Sequence, residues 1–104
     1  MNTPTSYRMY VLTRLDLAST YRAVQGNHAL TAFGLEHEVT WRHWNNETLI
    51  HLGVSNLREL SEWKKTLEAL GKEHSWFLEP DQLGAPTAIA CYDSGEIFSK
   101  LPLA

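Results

Sequence analysis

The sequence has a single cysteine and no long apolar run, and both absences exclude whole classes of protein. With Cys91 alone, no internal disulfide can form, and a cysteine-rich metal site is excluded. No apolar run approaches the roughly 20 residues of a membrane-spanning helix. Residues 1–6 hold no apolar core of the kind that a signal peptide needs. We therefore expect a cytoplasmic protein with no membrane partner.

An excess of positive charge is also missing. The chain has 9 Lys and Arg against 12 Asp and Glu, a formal net charge of -3, so the field of the whole protein does not attract nucleic acid. A nucleic-acid partner would have to be held by a local basic cluster. The glycine patterns of phosphate and dinucleotide loops, the nucleophile elbow and the paired histidines of zinc hydrolases are absent too. Any chemistry must come from a site without these motifs.

The composition is that of a globular protein: 104 residues, 43% hydrophobic and 20% charged. Chains of this length form one domain, which we expect to span residues 1–104. Aromatic and β-branched residues predict strands, and apolar residues at helical spacing predict helices. The predicted order is strand 7–14, helix 19–35, strand 48–54, helix 56–70, strand 75–78, strand 87–92 and a short helix over 96–100.

Two helical crossovers between strands imply parallel neighbours and a sheet covered by helices, which is an α/β layer fold. We expect the first strand to be central, because its apolar residues fall on both faces. In residues 36–46 the apolar residues follow neither helical nor strand spacing. This segment is predicted to be a helix end followed by a loop that folds Trp41 and Trp44 back onto the body. Asn56, followed three residues later by Glu59, predicts the start of the second helix.

The start of the first helix gathers the polar side chains that are candidates for a site. Ser19 or Thr20 is predicted to cap it. Tyr21, Gln25 and His28 are spaced four and three residues apart, so they project from one face of the helix. A lone helical histidine is more often structural than catalytic, and it is the face shared with Tyr21 and Gln25 that makes His28 a catalytic candidate.

Acidic and basic residues follow the first and third strands. If these strands run the same way, their ends bring Arg14 and Asp16 to the same rim as Glu79 and Asp81. Arg22 lies at that rim as well. Asp16 is as readily explained as a turn residue, and the two arginines as an ion-pair partner and a surface cation. Asp81 is preferred over Glu79, since an acid in a loop is freer to face a substrate.

Residues 14–17 and 23–29 resemble the first strand and first helix of the type 2 peptidyl-tRNA hydrolases, through the sequence Gln25-x-x-His28-Ala29. The resemblance extends through residues 47–50, the second helix, and residues 77–81 and 87–90. It implies a four-stranded mixed sheet with helices on both faces, a last strand antiparallel to its neighbour, and often a homodimer. It also implies tRNA as partner and hydrolysis of the ester between a peptide and tRNA.

Carried over residue by residue, the resemblance implies a role for His28 as the family's helix histidine and for Gln25 as its glutamine. The family's first-strand acid falls on Asp16, and the acid after its third strand falls on Asp81 or, less well, on Glu79. Its loop threonine falls on Thr87. Our hypothesis is that His28 takes a proton from the attacking water and that Asp81 or Asp16 orients the His28 ring. The Tyr21 hydroxyl or first-turn N–H groups would stabilise the oxyanion. Arg14 and Arg22 would hold tRNA phosphates, and the reaction needs no metal or organic cofactor.

One position departs from the family. Its enzymes usually carry a lysine four residues before the glutamine, and this chain has Tyr21 there. Two alternatives to hydrolysis of peptidyl-tRNA therefore stay open. The first is a catalytically impaired relative that acts as a tRNA-binding or protein-binding module, and the second is a hydrolase or transferase of a small ester or amide.

Overall fold

The computed structural model describes residues 6–104. Within them the four predicted strands and the two long predicted helices follow one another in the predicted order, and one additional helix follows the first. Their bounds are β1 Arg8–Arg14, α1 Ser19–Glu36, α2 Glu38–Trp44, β2 Leu49–Val54, α3 Leu57–Ala69, β3 His74–Glu79 and β4 Ala85–Asp93. Single 3-10 turns at Pro80–Gln82 and Glu96–Phe98 follow β3 and β4.

The strands form one mixed sheet in the order β2-β1-β4-β3. β1 is parallel to β2, and β4 is antiparallel to both β1 and β3. β3 therefore runs the same way as β1, and the two strands end at the same edge of the sheet. This confirms the predicted α/β fold with a mixed sheet, and also the central place of β1.

Helices cover both faces of the sheet, because the side chains of β1 alternate between two cores. Leu12 faces α3, where it packs with Leu60 and Leu67. Val11 faces α1, where it packs with Phe33. Cys91 belongs to the α3 side, as expected of a small core residue, and burial raises the pKa of its thiol to about 12.

The prediction of a loop over residues 36–46 is wrong, because most of this segment is the helix α2. His37 separates the two helices, because its φ of -130° and ψ of 61° are not helical, and α2 begins at the next residue. α2 ends at Asn45 in the left-handed conformation. Trp44 does fold back onto the body, where its indole N–H donates to the Thr48 carbonyl at 2.9 Å. Trp41 lies so close to Gly34 that a Cβ there would stand 2.9 Å from the indole.

The predicted helix caps have different outcomes. The Asn56 side chain accepts the Glu59 N–H at 3.0 Å, which confirms the start of α3. The prediction that Ser19 or Thr20 caps α1 is wrong: the flanking residue is Ala18, and no side chain of residues 6–104 caps this end. Among these residues the first-turn N–H groups of α1 have no side-chain acceptor, and the positive end of the helix is exposed.

The segment after β4 returns along the edge of the sheet. A single 3-10 turn replaces the longer helix predicted over residues 96–100. The chain then runs beside β2, where Gly53 N–H donates to the Pro102 carbonyl at 2.8 Å and Ala104 N–H to the His51 carbonyl at 3.1 Å. None of the helices within residues 6–104 is both long enough and apolar enough to cross a bilayer.

Candidate functional site

The candidate site lies where α1 crosses β3. Alternate residues of a strand share a face, so Ser75, Phe77 and Glu79 all point toward α1. Their contacts run backward along the helix: Ser75 bonds Glu36, Phe77 stacks on His28, and Glu79 bonds Gln25. α1 therefore crosses β3 in the opposite direction, and its N-terminal half lies above the end of the strand.

Gln25 is the centre of the site. Its side chain is only 1% exposed, although an amide is costly to bury without partners. Its Nε2 donates to Glu79 Oε2 at 2.8 Å, and its Oε1 accepts the Thr87 hydroxyl at 2.5 Å. One amide thus joins α1, β3 and β4, and both of its polar atoms are satisfied.

A β-bulge turns Thr87 toward this amide. In the β3–β4 ladder Phe77 pairs with Ala88 and Leu78 with Pro86, so Thr87 is the extra residue. A bulge places two successive side chains on one face of a strand. Ala88 and Thr87 consequently both face α1, and the hydroxyl reaches Gln25.

Glu79 is held by two donors. Besides the Gln25 amide, its carboxylate accepts the Asp81 backbone N–H at 3.1 Å, because Glu79 caps the 3-10 turn that begins with Pro80. The Asp81 N–H, then Gln25, then the nearby charge of His28 lower the pKa of Glu79. Glu79 is 7% exposed, so the site holds a nearly buried carboxylate that is ionised at neutral pH.

His28 lies on the solvent side of the same helix face. Its ring stacks on Phe77 with centroids 4.4 Å apart and planes tilted by 13°, and the residue is exposed. Within residues 6–104 no hydrogen bond or ion pair joins this ring to Asp81, whose side chain is exposed at the rim. Stacking on Phe77 therefore sets the plane of the imidazole.

Tyr21 stands one turn before Gln25 and is partly buried. Burial, and then the Glu79 and Asp81 carboxylates, raise the pKa of its phenol. The hydroxyl is therefore protonated at neutral pH and has a proton to donate. Unlike a lysine at this position, it carries no positive charge.

The other predicted site residues face elsewhere. Arg14 and Asp16 form a two-point ion pair, with Nε–Oδ1 at 3.0 Å and Nη2–Oδ2 at 2.9 Å, and this pairing lowers the pKa of Asp16. Arg14 also donates to the Pro86 carbonyl at 3.1 Å. Arg22 points to the far side of α1, where it donates to the carbonyls of Leu17 and Leu15.

The structure therefore brings together one group of the predicted residues and separates the rest. The group consists of Tyr21, Gln25, His28, Glu79, Asp81 and Thr87. Phe77, which supports the His28 ring, was not predicted. The alternation of β3 was the signal that could have found it, because it places Phe77 on the same face as Glu79.

No cluster of three or more His, Cys, Asp or Glu side chains suited to a metal ion occurs in residues 6–104. The candidate site consists of the buried Gln25 amide, the fixed Glu79 carboxylate, the exposed His28 imidazole and the Tyr21 phenol. In comparisons with known proteins, no family model matches the sequence and no curated protein matches it.

Proposed function

We propose that this site hydrolyses the ester that joins a peptide to the terminal ribose of tRNA. The observation that carries the proposal is the Gln25 amide, which is buried and bonded to both Glu79 and Thr87 beneath an exposed His28. A buried polar network that is fully satisfied is rigid. Together with the resemblance to type 2 peptidyl-tRNA hydrolases, it supports a preorganised site for acyl transfer to water.

In the proposed reaction His28 is the general base. It takes a proton from a water molecule as the water oxygen forms a bond to the ester carbonyl carbon. When the tetrahedral intermediate collapses, the bond to the ribose oxygen breaks, and the imidazolium returns the proton to that oxygen. The Glu79 carboxylate beneath His28 is fixed by Gln25 and by the Asp81 N–H.

Tyr21 is the proposed oxyanion donor. Its raised pKa keeps the hydroxyl protonated, and one such donor is typically worth about 3–4 kcal/mol of transition-state stabilisation. Asp16 is paired with Arg14, so we assign it the role of positioning that guanidinium for a tRNA phosphate. Gln25 and Thr87 position Glu79 and are not proposed to touch the substrate.

The direct test is hydrolysis of an N-acetyl-aminoacyl-tRNA by the wild-type protein and by His28→Ala. Loss of a general base lowers turnover by about 100-fold or more. His43→Ala is the matched control, since His43 is also an exposed helical histidine, but on α2. Equal turnover by the wild type and His28→Ala would refute the proposed role of His28.

A second candidate function is binding of tRNA without cleavage. It is favoured by the stacked pair of His28 and Phe77, since an exposed aromatic face is a platform for an unpaired base. Salt-dependent binding of tRNA that His28→Ala weakens, with the ester intact, would support this module. Turnover of simple esters with no preference for tRNA would instead support a small-ester hydrolase.

A further inference from the structure

The sheet has two edges, and the described part of the chain covers only one of them along its length. At β2, Gly53 N–H donates to the Pro102 carbonyl and Ala104 N–H to the His51 carbonyl, so the last residues lie beside this edge. β3 is the other edge, and β4 is its only partner strand within residues 6–104. The free side of an edge strand presents N–H and C=O groups with which another chain can pair.

The backbone groups of Trp76 and Leu78 point away from β4. In an antiparallel pair, successive residues of a strand turn their N–H and C=O groups alternately toward the partner and away from it. The Glu79 carbonyl faces β4, because it accepts Gly84 N–H at 2.9 Å where the two strands join. Phe77 therefore also faces β4, and Trp76 and Leu78 face outward. Within residues 6–104 their outward groups make no hydrogen bond.

This open edge is closed at one end and reaches the candidate site at the other. The ring of His37 donates from Nε2 to the outward carbonyl of His74 at 3.0 Å. At the far end the strand finishes at Glu79, which bonds Gln25. The open stretch is thus residues 76–78, shorter than the roughly 5–6 residues of a typical strand. It suits a few residues of an extended peptide and is too short for the β3 strands of two copies to pair along their length.

α1 overhangs the open edge with apolar side chains. Gly26 of this helix faces β1 and β2, whereas His28 faces β3 through Phe77, so the flank that carries His28 lies over the outer side of β3. Val24 and Leu35 lie within about 40° of His28 around the helix axis. They are 50% and 82% exposed. A strand added to β3 would run beneath these two side chains and cover them.

The opposite face of the edge is apolar as well. Leu78 is 45% exposed there, beside the half-buried Trp76. Residues 75–78 are Ser, Trp, Phe and Leu, without the charge or proline that commonly protects natural edge strands against pairing. An added strand would therefore find open backbone groups between two apolar borders.

We infer that the open edge of β3 binds the peptide part of the substrate as an added strand. The inference rests on the proposed function, in which the ester at His28 joins the last residue of the peptide to tRNA. The peptide then runs parallel to β3, and one of its residues donates its N–H to the Trp76 carbonyl and accepts Leu78 N–H. Main-chain hydrogen bonds of this kind do not depend on side chains, so the edge accepts peptides of different sequence.

The test is amide hydrogen exchange, followed by NMR, with the peptide amide acetyl-Val-Ala-Val-Ala-NH2, which carries no tRNA. At a peptide concentration about ten times Kd, exchange of the Leu78 amide should slow about tenfold, and that of the Trp76 amide should slow as well. The Phe77 amide should change little, because it already pairs with β4. The same peptide with every backbone amide N-methylated is the matched control and should give no protection.

Side-chain variants test the border that α1 provides. Leu35→Ser and Val24→Ser should weaken binding of the peptide amide about three- to tenfold, because apolar contacts with the added strand are lost. Leu103→Ser is the matched control, since Leu103 is an exposed leucine beside β2 at the opposite edge, and it should bind as the wild type does. Equal binding by all three variants would contradict the placement of the peptide beneath α1.

Turnover separates this inference from the proposed hydrolysis. If both hold, kcat/KM should rise as the peptide on the tRNA lengthens from one residue to three. Cleavage of N-acetyl-aminoacyl-tRNA without protection by the peptide amide would overturn the inference and leave hydrolysis standing. Alternating protection without cleavage of any peptidyl-tRNA would support the peptide site and refute hydrolysis. Protection that needs no peptide and rises with protein concentration would show that a second copy covers the edge, which would also overturn the inference.

Discussion

Gln25 and Glu79 are 54 residues apart in sequence, and their side chains meet at 2.8 Å in a contact that links α1 to the end of β3. The bond is buried, and the same amide accepts the Thr87 hydroxyl. Three segments of the chain are therefore tied through one side chain, which makes Gln25 a residue of both the core and the site.

Replacing Gln25 should destabilise the fold. Gln25→Leu keeps much of the volume, but it removes one of the two donors to the buried Glu79 carboxylate and the close acceptor of the Thr87 hydroxyl. We expect a loss of about 2–4 kcal/mol in the free energy of unfolding, measured by urea denaturation. Asn27→Leu is the control on the exposed side of the same helix, with an expected change within about 0.5 kcal/mol. Equal losses would show that the network adds no stability.

The ionisation of Glu79 predicts how stability depends on pH. Its folded pKa is lowered from the ordinary value of 4.5, chiefly by the Asp81 N–H and then by Gln25. The resulting stability is fully present above the unfolded pKa and is lost as pH falls through the folded value. In urea denaturation between about pH 6 and pH 3, the wild type should lose more stability than Glu79→Gln. Parallel curves would contradict a depressed pKa.

Two glycines with positive φ should differ in how well they tolerate substitution. Gly71 and Gly95 have φ of +66° and +91°. A Cβ on Gly71 meets nothing within 4 Å, whereas one on Gly95 would lie 1.9 Å from the Tyr10 hydroxyl oxygen. Gly71→Ala should cost about 1 kcal/mol from backbone strain alone, and Gly95→Ala at least about 2 kcal/mol more. Thermal unfolding of both variants measures the difference, and equal costs would show that the contact relaxes freely.

The order of the elements could be predicted because each depends on local patterns. The Asn56 cap and the period of α3 are examples, since the interactions that define them lie within a few residues. α2 was missed because its seven residues include Val39 and Thr40, which favour strands, and several aromatic rings. It is held as a helix by packing, mainly of Trp44 against the sheet.

The candidate site was only partly predictable, because its pairings span distant segments. The face shared by Tyr21, Gln25 and His28 follows from helical spacing. The partner of Gln25 does not, because the bulge that exposes Thr87 is a property of two paired strands. The sequence favours Asp81 over Glu79 as a freely placed loop acid, whereas it is Glu79 that bonds the Gln25 amide and also accepts the Asp81 backbone N–H.

The strand order β2-β1-β4-β3 also governs when this protein can finish folding. β4 is the last strand along the chain, yet it lies between β1 and β3 and pairs with both. Before Ala85–Asp93 has left the ribosome, β1 can pair with β2 on one side only, and β3 has no partner strand in this sheet. Closure of the sheet is then a single late insertion, which forms long-range contacts on both sides at once and thereby assembles the Gln25 site.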